Sequence, residues 1–177
     1  MNINNPYGFY GPGFHKYVID SIVKYTNCKT YLELGVYDGD TFSLIAKQVN
    51  RAIAVDIKDL RLQKIGEFYQ MSTDEFFKNF SDNVDIVFID ADHNSNSVIK
   101  DFENSLKLLN KYGIIFLHDT DPMEKKLLEP GYCNDCFKTV DYIMEKHPEL
   151  NIITLPLTDA GLSIIMRKND RRVLNFI

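Results

Sequence analysis

The chain has 177 residues, of which 45% are hydrophobic and 25% are charged, and this composition excludes a disordered or fibrous protein. The length suits a single domain over residues 1–177. A formal net charge of −5, without a long run of lysine or arginine, argues against nucleic acid as a partner.

The sequence also predicts the compartment in which the protein acts. No segment approaches the ~20 apolar residues that cross a bilayer, and the first residues do not form a signal-peptide pattern. Three cysteines cannot all pair within one chain, which fits a reducing compartment. We therefore expect a cytoplasmic protein without a membrane partner, and a homo-oligomer stays an open alternative.

Apolar periodicity predicts alternating strands and helices along nearly the whole chain. The strands are 30–34, 51–56, 67–71, 84–89, 112–118, 151–156 and 161–167, and the helices are 13–26, 40–49, 59–65, 73–80, 94–110 and 134–147. Several strands are too apolar to have a wet face, which favours a mostly parallel sheet covered on both sides. Only Leu157 to Ala160 separate the last two strands, so these should pair as an antiparallel hairpin.

Residues 1–13 hold two prolines and three glycines together with aromatic residues. We interpret this segment as an amino-terminal arm, either packed on the surface, closing over a substrate, or contacting another subunit. His15 on the helix that follows, and His147 near the end of a later helix, are expected at the surface, away from the functional face.

A glycine-rich turn connects the first strand to the next helix. Gly35 and Gly39 are four residues apart, and Tyr37 stands where a dinucleotide fingerprint requires its second glycine. Glu33 precedes the turn, and a carboxylate there suits a cation better than an anionic pyrophosphate. The turn therefore predicts a site for a positively charged cofactor.

Further candidate residues stand at the carboxyl ends of the other strands, and in an open α/β sheet these ends meet at the ligand site. They are Asp56 and Ile57 at the end of the second strand, Ser72 and Asp74 at the third, Asp90 and His93 at the fourth, and His118, Asp119 and Thr120 at the fifth. Ser72 or Thr73 could instead cap the helix that follows, and ligand binding and capping can hold together. A carboxylate at 56 can accept both hydroxyls of a ribose.

The acid-x-Gly-x-x-x-Gly pattern of Glu33, Gly35 and Gly39 resembles the first motif of class I S-adenosylmethionine-dependent methyltransferases. Phe-Ile-Asp-Ala-Asp-His over 88–93 and Leu-His-Asp-Thr over 117–120 are similar to a bacterial group related to the cation-dependent O-methyltransferases of the catechol and caffeoyl-coenzyme A type. The resemblance is best from 30 to 121. It implies a Rossmann-like three-layer sandwich with a seven-stranded sheet.

The resemblance also implies an enzyme that transfers a methyl group from S-adenosylmethionine to a hydroxyl of a small molecule or a sugar. It assigns the cofactor-binding residues as follows: Glu33, Gly35, Tyr37 and Gly39 to methionine and ribose, Asp56 and Ile57 to ribose and adenine, Ser72 and Asp74 to adenine, and Asp90 to the methionine end. His93, His118 and Asp119 face the acceptor as catalytic residues. Either histidine could take the acceptor's proton.

In the cation-dependent relatives, an acid and an Asp-Asn pair hold Mg²⁺. The matching residues here are Asp90, Asp119 and Thr120, and the threonine hydroxyl is a weaker ligand than the amide it replaces. An imidazole at His118 would shift the preference toward Mn²⁺, Fe²⁺ or Zn²⁺. The resemblance thus implies a divalent cation, Mg²⁺ or Mn²⁺, as an additional cofactor.

Residues 121–136 form a second irregular segment, an insertion beside the expected active face, where loops select substrates. Its Cys133 and Cys136 form a single Cys-x-x-Cys pair, which is weak evidence for a metal or redox site. Two other functions stay possible from the sequence: an NAD-dependent oxidoreductase on a similar sheet, and a non-catalytic binding or assembly module.

Overall fold

The computed structural model describes residues 13–156 and 160–168. Within these ranges the helices are α1 (Phe14–Tyr25), α2 (Asp40–Ile45), α3 (Thr73–Asn79), α4 (Ser95–Leu108) and α5 (Lys138–Lys146), and the strands are β1 (Thr30–Leu34), β2 (Arg51–Asp56), β3 (Glu67–Gln70), β4 (Val84–Ile89), β5 (Leu109–His118), β6 (Leu150–Leu155) and β7 (Leu162–Arg167). The seven predicted strands are confirmed. The predicted arm lies, up to residue 12, outside the described residues.

Four predicted helices are shorter than expected by three residues or more. The helix expected over 134–147 begins only at Lys138, after Asn134 with a left-handed φ of 49°. The helix expected over 59–65 is only a 3-10 turn at Leu62–Lys64, because Arg61 adopts a left-handed φ of 53°. The helix expected over 40–49 ends at Ile45, where the chain changes to i to i+3 hydrogen bonds. The helix expected over 94–110 ends at Leu108, because the long strand β5 already begins at the next residue.

The sheet has the strand order β3-β2-β1-β4-β5-β7-β6. Strands β1 to β5 pair in parallel, whereas β7 is antiparallel to both β5 and β6, as predicted for the terminal hairpin. Leu34 at the end of β1 pairs with Val55 on one side and Ile89 on the other. The carboxyl ends of three neighbouring strands therefore lie side by side.

Two hydrophobic clusters cover the two faces of this sheet, because successive strand residues point to opposite sides. Leu32 of β1 packs in one cluster with Phe102 of α4 and Ile143 of α5, whereas the adjacent Tyr31 packs in the other with residues of α1 and α2. Burying a large apolar side chain contributes roughly 1.5–3 kcal/mol. The predicted three-layer α/β sandwich is thus confirmed, with helices on both faces of a mostly parallel sheet.

A search of the described helices for one with the length and apolar character of a membrane span finds none.

Candidate functional site

The turn after β1 depends on left-handed backbone at three positions. Gly35 and Gly39 have φ values of 79° and 82°, and Tyr37 between them has a φ of 55°. The Asp56 carboxylate at the end of β2 accepts hydrogen bonds from the backbone N-H groups of Val36 at 2.8 Å and Tyr37 at 3.2 Å. Asp56 therefore fixes the shape of the turn, a role that the sequence did not reveal, in addition to facing the cavity beside it.

Gly35 also allows the chain after β4 to approach the turn. A Cβ atom at this position would lie 2.2 Å from the Asp90 carbonyl oxygen and 2.4 Å from the Ala91 Cα, far closer than any real contact. Glycine is thus required by packing as well as by its positive φ. This contact places Asp90 directly beside the turn.

Two cavities flank the turn, and Gly35 lines both of them. The first, of about 420 Å³, lies beyond the ends of β2 and β3 and is bordered by α4. Four predicted cofactor residues line it, namely Asp56, Ile57, Ser72 and Asp74. Its size falls in the range of small-molecule sites, ~300–1,000 Å³.

Ser72 and Asp74 already have partners at the rim of the first cavity. Ser72 is the N-cap of α3 and forms a capping box with Glu75, so its predicted capping role is observed. The Asp74 carboxylate, which is exposed, accepts from the Lys100 ammonium at 2.9 Å. Both side chains still face the cavity.

Asp101 also lines the first cavity, and sequence reasoning missed it. It lies inside α4, where an acid usually faces solvent, so no pattern singled it out. The residue is only 2% exposed, and burial raises the pKa of its carboxyl to about 6, although a hydrogen bond with Thr73 works in the opposite direction.

The second cavity, of about 410 Å³, lies on the other side of the turn. It gathers most of the remaining predicted residues, namely Glu33, Tyr37, Asp90, His93, His118 and Asp119. Gly39 borders neither cavity. It is the N-cap of α2 and packs against Leu62.

Glu33 lies at the buried floor of this second cavity. It is 1% exposed, and its carboxyl accepts a hydrogen bond from the Tyr31 hydroxyl at 2.5 Å. Burial raises the pKa of Glu33 well above its ordinary value, although that hydrogen bond opposes the effect. The side chain is therefore held by the core, and only part of it can face a ligand.

Two acids and two histidines converge in the second cavity. The Nε2 atom of His93 lies 3.6 Å from Asp90 and 3.4 Å from Asp119, and the Nδ1 atom of His118 lies 3.3 Å and 3.2 Å from the same two carboxylates. Asp119 has a left-handed φ of 58°, which turns the chain sharply after β5. These contacts confirm that the strand ends bring the four side chains together.

The charges within this cluster shift one another's pKa values. Burial favours a raised pKa for Asp90, but the charges of His118 and His93 and their hydrogen bonds outweigh it and hold that pKa well below its usual range. The hydrogen bond with Asp90 raises the pKa of His93 to about 9. Burial raises the pKa of Asp119. The cluster thus combines anionic and proton-binding groups in a half-enclosed space.

The insertion fixes the orientation of the His93 ring. The Nδ1 atom of His93 contacts the carbonyl oxygen of Tyr132, which can only accept a hydrogen bond, so Nδ1 carries a hydrogen. In the neutral ring the Nε2 lone pair then points toward Asp90 and Asp119. Three electron-rich atoms facing one another require a proton or a cation between them.

The geometry of this group also fits a divalent cation. Asp90, His93 and Asp119 each offer one ligand atom, and these atoms all lie within 4.8 Å of one another. Ligand atoms that are each ~2.1 Å from a metal ion lie roughly 3.0–3.4 Å apart, close to the observed separations. A donor set of two carboxylates and one imidazole suits Mn²⁺, Fe²⁺ or Zn²⁺ better than Mg²⁺.

Thr120, which the sequence suggested as a metal ligand, is not brought to this group. Its hydroxyl accepts a hydrogen bond from Ser163 of β7 at 2.8 Å, and it does not line either cavity. Since β5 and β7 are neighbours, the side chain is occupied between two strands. His93 takes the third position instead.

His15 corrects a second expectation. We expected it at the surface away from the functional face, but it lines the second cavity. Its ring lies 4.4 Å from that of His118 in an edge-on arrangement and stacks on Phe88 at 5.6 Å, and its Nε2 atom is 3.4 Å from the Thr41 hydroxyl. The hydrophobic periodicity predicted the helix, but it did not indicate which side of the sheet edge the first turn of this helix reaches. His147 is half-buried and contacts Glu103 at 2.7 Å.

The insertion forms one wall of the second cavity. The Cys136 thiol donates to the Asp119 carbonyl oxygen at 3.1 Å, and burial raises the pKa of Cys133 to about 12. The Asp135 carboxylate accepts from the backbone N-H of Ser95 at 2.8 Å and from its hydroxyl at 3.1 Å, at the start of α4. Both cysteines are buried, protonated thiols that pack beside the acids.

Comparison with known families adds to this geometry. Residues 32–120, just over half of the chain, match a family model described as a methyltransferase domain. The matched range begins in β1 and ends directly after β5. It therefore contains the glycine turn between the two cavities and the cluster of acids and histidines. No curated protein gives a significant sequence match.

Solved structures share the fold at low sequence identity. An O-methyltransferase from Bacillus cereus in complex with S-adenosylhomocysteine superposes with a TM-score of 0.73 at 14% identity, over 89% of this chain and 82% of that chain. A methyltransferase from Podospora anserina, also bound to S-adenosylhomocysteine, gives 0.70 at 18% identity, over 88% and 78%. An O-methyltransferase from Streptomyces achromogenes involved in tomaymycin synthesis, in complex with S-adenosylmethionine, gives 0.67 at 13% identity, over 92% and 83%.

Proposed function

Since the chain belongs to the family of proteins that share this methyltransferase domain, we propose that it transfers a methyl group from S-adenosylmethionine to a hydroxyl of a small molecule or a sugar. The observation that carries the proposal is the pair of cavities that meet at Gly35. A donor with a nucleoside at one end and an amino acid at the other can place each end in one cavity. Its reactive sulfur then lies near the junction.

The first cavity suits the nucleoside end. Asp56 borders it next to the glycine turn. Its Oδ2 accepts from the turn and its Oδ1 accepts from the Lys58 backbone N-H at 2.8 Å, which leaves an acceptor position on Oδ1 for a ribose hydroxyl. Ile57 is 71% exposed and offers an apolar surface to a planar base. Four aspartates line this cavity against a single lysine, Lys100, which disfavours the anionic pyrophosphate of NAD.

The second cavity suits the methionine end and the acceptor. The acceptor oxygen attacks the methyl carbon in line, and the carbon–sulfur bond breaks with its electron pair passing to sulfur. The acceptor's proton passes to one of the two imidazoles beside Asp90 and Asp119: to His118, or to His93 at pH values above its pKa of about 9, where the His93 ring is neutral. Asp119 and Asp90 hold these rings in position. The acidic residues of the cavity wall favour a neutral or cationic acceptor over a nucleic acid.

A divalent cation fits the same place, with Asp90, His93 and Asp119 as its ligands. When bound, it would lower the pKa of an acceptor hydroxyl and hold the oxygen toward the methyl group. The chain itself orients the ligands of this cation, because the Tyr132 carbonyl fixes the tautomer of His93 through its contact with Nδ1.

Binding of S-adenosylhomocysteine tests the donor. At about 100 times its dissociation constant, a ligand of the folded state adds ~2.7 kcal/mol, which raises the melting temperature by about 5–10 °C for a chain of this size. NAD serves as the control and should not raise it. A chain that responds to NAD alone would be an oxidoreductase, and one that responds to neither at millimolar concentration would be a binding module without methyl transfer.

Titration with Mn²⁺ tests the cation without depending on activity. We expect electron paramagnetic resonance to detect binding, and His93→Gln to weaken it by at least about tenfold because one ligand is lost. Thr120→Val should bind Mn²⁺ as the unaltered protein does, since its hydroxyl pairs with Ser163. Equal binding by all three proteins, or none by any, would reject the site.

A further inference from the structure

Asp101 is a buried acid that faces the first cavity from the second turn of α4. It is 2% exposed, and the groups around it are the Thr73 side chain at the start of α3, the carboxylates of Asp74 and Asp92, and the Lys100 ammonium. The lysine binds Asp74 with two contacts of 2.9 Å and 3.1 Å. Asp101 is thus surrounded by more negative than positive charge.

A buried carboxylate needs hydrogen-bond donors, because removing it from water is costly. An ionised carboxylate has about four acceptor positions. The Thr73 hydroxyl supplies one hydrogen to Asp101, and Lys100, its nearest cation, is held by Asp74. Since Asp101 lines the cavity, a ligand that reaches it there should present N-H or O-H groups to its carboxylate.

Asp56 and Asp101 are two of the four aspartates that line this cavity, and they come from different elements. Asp56 is bonded to the glycine turn, whereas Asp101 contacts the start of α3. Under the proposed function, the ribose lies next to Asp56, and the base extends toward Thr73 and Asp101. The edge of the base that reaches Asp101 is then the edge far from the sugar.

We propose that Asp101 is a specificity-determining residue that accepts a hydrogen bond from the exocyclic amino group of adenine, so that the site selects an aminopurine donor over an oxopurine. This inference rests on the proposed function, since it requires a purine nucleoside in the first cavity. It differs from the sequence prediction, in which Ser72 and Asp74 contact adenine. Asp74 is exposed and its carboxylate already pairs with the Lys100 ammonium, so water and dissolved salt ions compete with any contact that it makes to a base.

Calorimetry with two ligands tests the inference. S-adenosylhomocysteine and S-inosylhomocysteine differ only at the purine edge, where an oxygen acceptor replaces the amino donor and the adjacent N1 changes from an acceptor to an N-H donor. The unaltered protein should bind the adenine compound at least about tenfold more tightly, because an oxygen facing the Asp101 carboxylate lacks a hydrogen to donate. Asp101→Asn should lose most of this preference, since its amide can donate to the oxygen.

Two further variants sharpen the comparison. Asp74→Asn should retain the preference for S-adenosylhomocysteine if Asp101 contacts the base. It should lose this preference if Asp74 contacts adenine, as the sequence predicted. Asp141→Asn, at an exposed position on α5, controls for the loss of one charge. The melting temperature of each variant is recorded in parallel, and Asp101→Asn should fold at neutral pH because it removes a buried charge.

The pH dependence of the unaltered protein gives a readout that does not depend on any variant. Burial raises the pKa of Asp101 to about 6, so the carboxyl gains its proton as the pH falls from about 7.5 to about 5. The preference for the adenine compound should then shrink at least about threefold. Titration of His93 or His118 affects both ligands equally, because they share the same homocysteine end, and cancels in the ratio.

The binding data distinguish a failure of the proposed function from a failure of the role of Asp101. If neither ligand binds the unaltered protein, the proposed function fails. If S-adenosylhomocysteine binds but the preference is the same in Asp101→Asn and constant with pH, the proposed function stands and the role of Asp101 is rejected.

Discussion

Gly35 is the residue at which the two cavities, the end of β1 and the chain after β4 meet. Its positive φ disfavours a side chain, and its contact with the Asp90 carbonyl independently excludes one. The sequence predicted this glycine as part of a ligand turn. The contact with Asp90, which joins the cofactor turn to the acid cluster, could not be predicted, because it depends on how strands distant in sequence pair.

Gly35→Ala should therefore destabilise the protein strongly. Left-handed strain costs ~1–2 kcal/mol, and the overlap with backbone atoms of Asp90 and Ala91 adds roughly 1–3 kcal/mol, because backbone cannot move aside cheaply. Gly131→Ala is the matched control: its φ is 92°, but an added Cβ would meet no atom within 4 Å. Chemical denaturation of Gly131→Ala should show that the free energy of unfolding falls by about 1 kcal/mol. An equal fall in both variants would refute the argument that packing requires glycine at position 35.

The site residues illustrate which chemistry a sequence can reveal. Asp90, His93, His118 and Asp119 were found because each follows a strongly apolar strand, so their position at one sheet edge followed from the parallel arrangement. Thr120 was chosen by resemblance alone, and the structure pairs it with Ser163 instead. His15 and Asp101 lie on helices, where the direction of a polar side chain depends on packing and not on periodicity.

At the scale of elements, Asp85 holds together the amino ends of three strands. Its carboxylate accepts from the backbone N-H groups of Lys29 at 2.8 Å and Thr30 at 3.0 Å, next to β1, and from the side-chain amide of Asn110 in β5 at 2.7 Å. Although burial acts to raise its pKa, these hydrogen bonds lower it overall. Asp85 thus fixes β1 and β5 on either side of β4, at the edge opposite the functional site.

Asp85→Asn should lower the free energy of unfolding by about 1–3 kcal/mol at neutral pH, because an amide cannot accept all three hydrogen bonds. The folded-state pKa of Asp85 lies below its unfolded value, so its contribution is present at pH values above ~3.9 and is lost as the pH falls below that value. The difference in the free energy of unfolding between Asp85→Asn and the unaltered protein should therefore become smaller at acid pH.

Urea denaturation at several pH values measures this difference. Asp141→Asn, exposed on α5, provides the control and should change stability by less than about 0.5 kcal/mol. A difference between Asp85→Asn and the unaltered protein that persists unchanged at low pH would show that the carboxylate charge is not the cause.

The boundaries of helices and strands could be predicted where a side chain, such as a capping residue, defines them. They could not be predicted where the backbone conformation defines them. The start of α3 was predicted correctly, because a capping residue, Ser72 or Thr73, precedes an apolar run that is visible in the sequence, and the structure shows Ser72 as the cap. The helix expected over 59–65 failed because its apolar spacing was right while Arg61 adopts left-handed backbone. Such a conformation follows from the surrounding packing, which a single sequence does not display.

At the scale of the whole molecule, the sheet determines both the fold and the charge around the site. The prediction of a seven-stranded α/β sheet with a terminal hairpin is confirmed, and the family match confirms the methyltransferase resemblance. The same sheet edge concentrates acids. Those that line the two cavities include Asp38, Asp40, Asp56, Asp74, Asp90, Asp92 and Asp119, and the lysines there are Lys16 and Lys100.

This acidity predicts a salt effect that distinguishes substrate from product. S-adenosylmethionine carries one more positive charge than S-adenosylhomocysteine, at its sulfonium, while the rest of the two molecules is the same. An excess of carboxylates within and around the cavities attracts that charge over a distance limited by the Debye length, which falls from ~30 Å at 0.01 M salt to ~10 Å at 0.1 M. Calorimetric titrations at the two salt concentrations should therefore show the dissociation constant of S-adenosylmethionine rising at least about twofold more than that of S-adenosylhomocysteine. The product is the matched neutral control, so parallel changes in both constants would mean that the acids act only through short contacts, or that other charges of the chain neutralise them at the site.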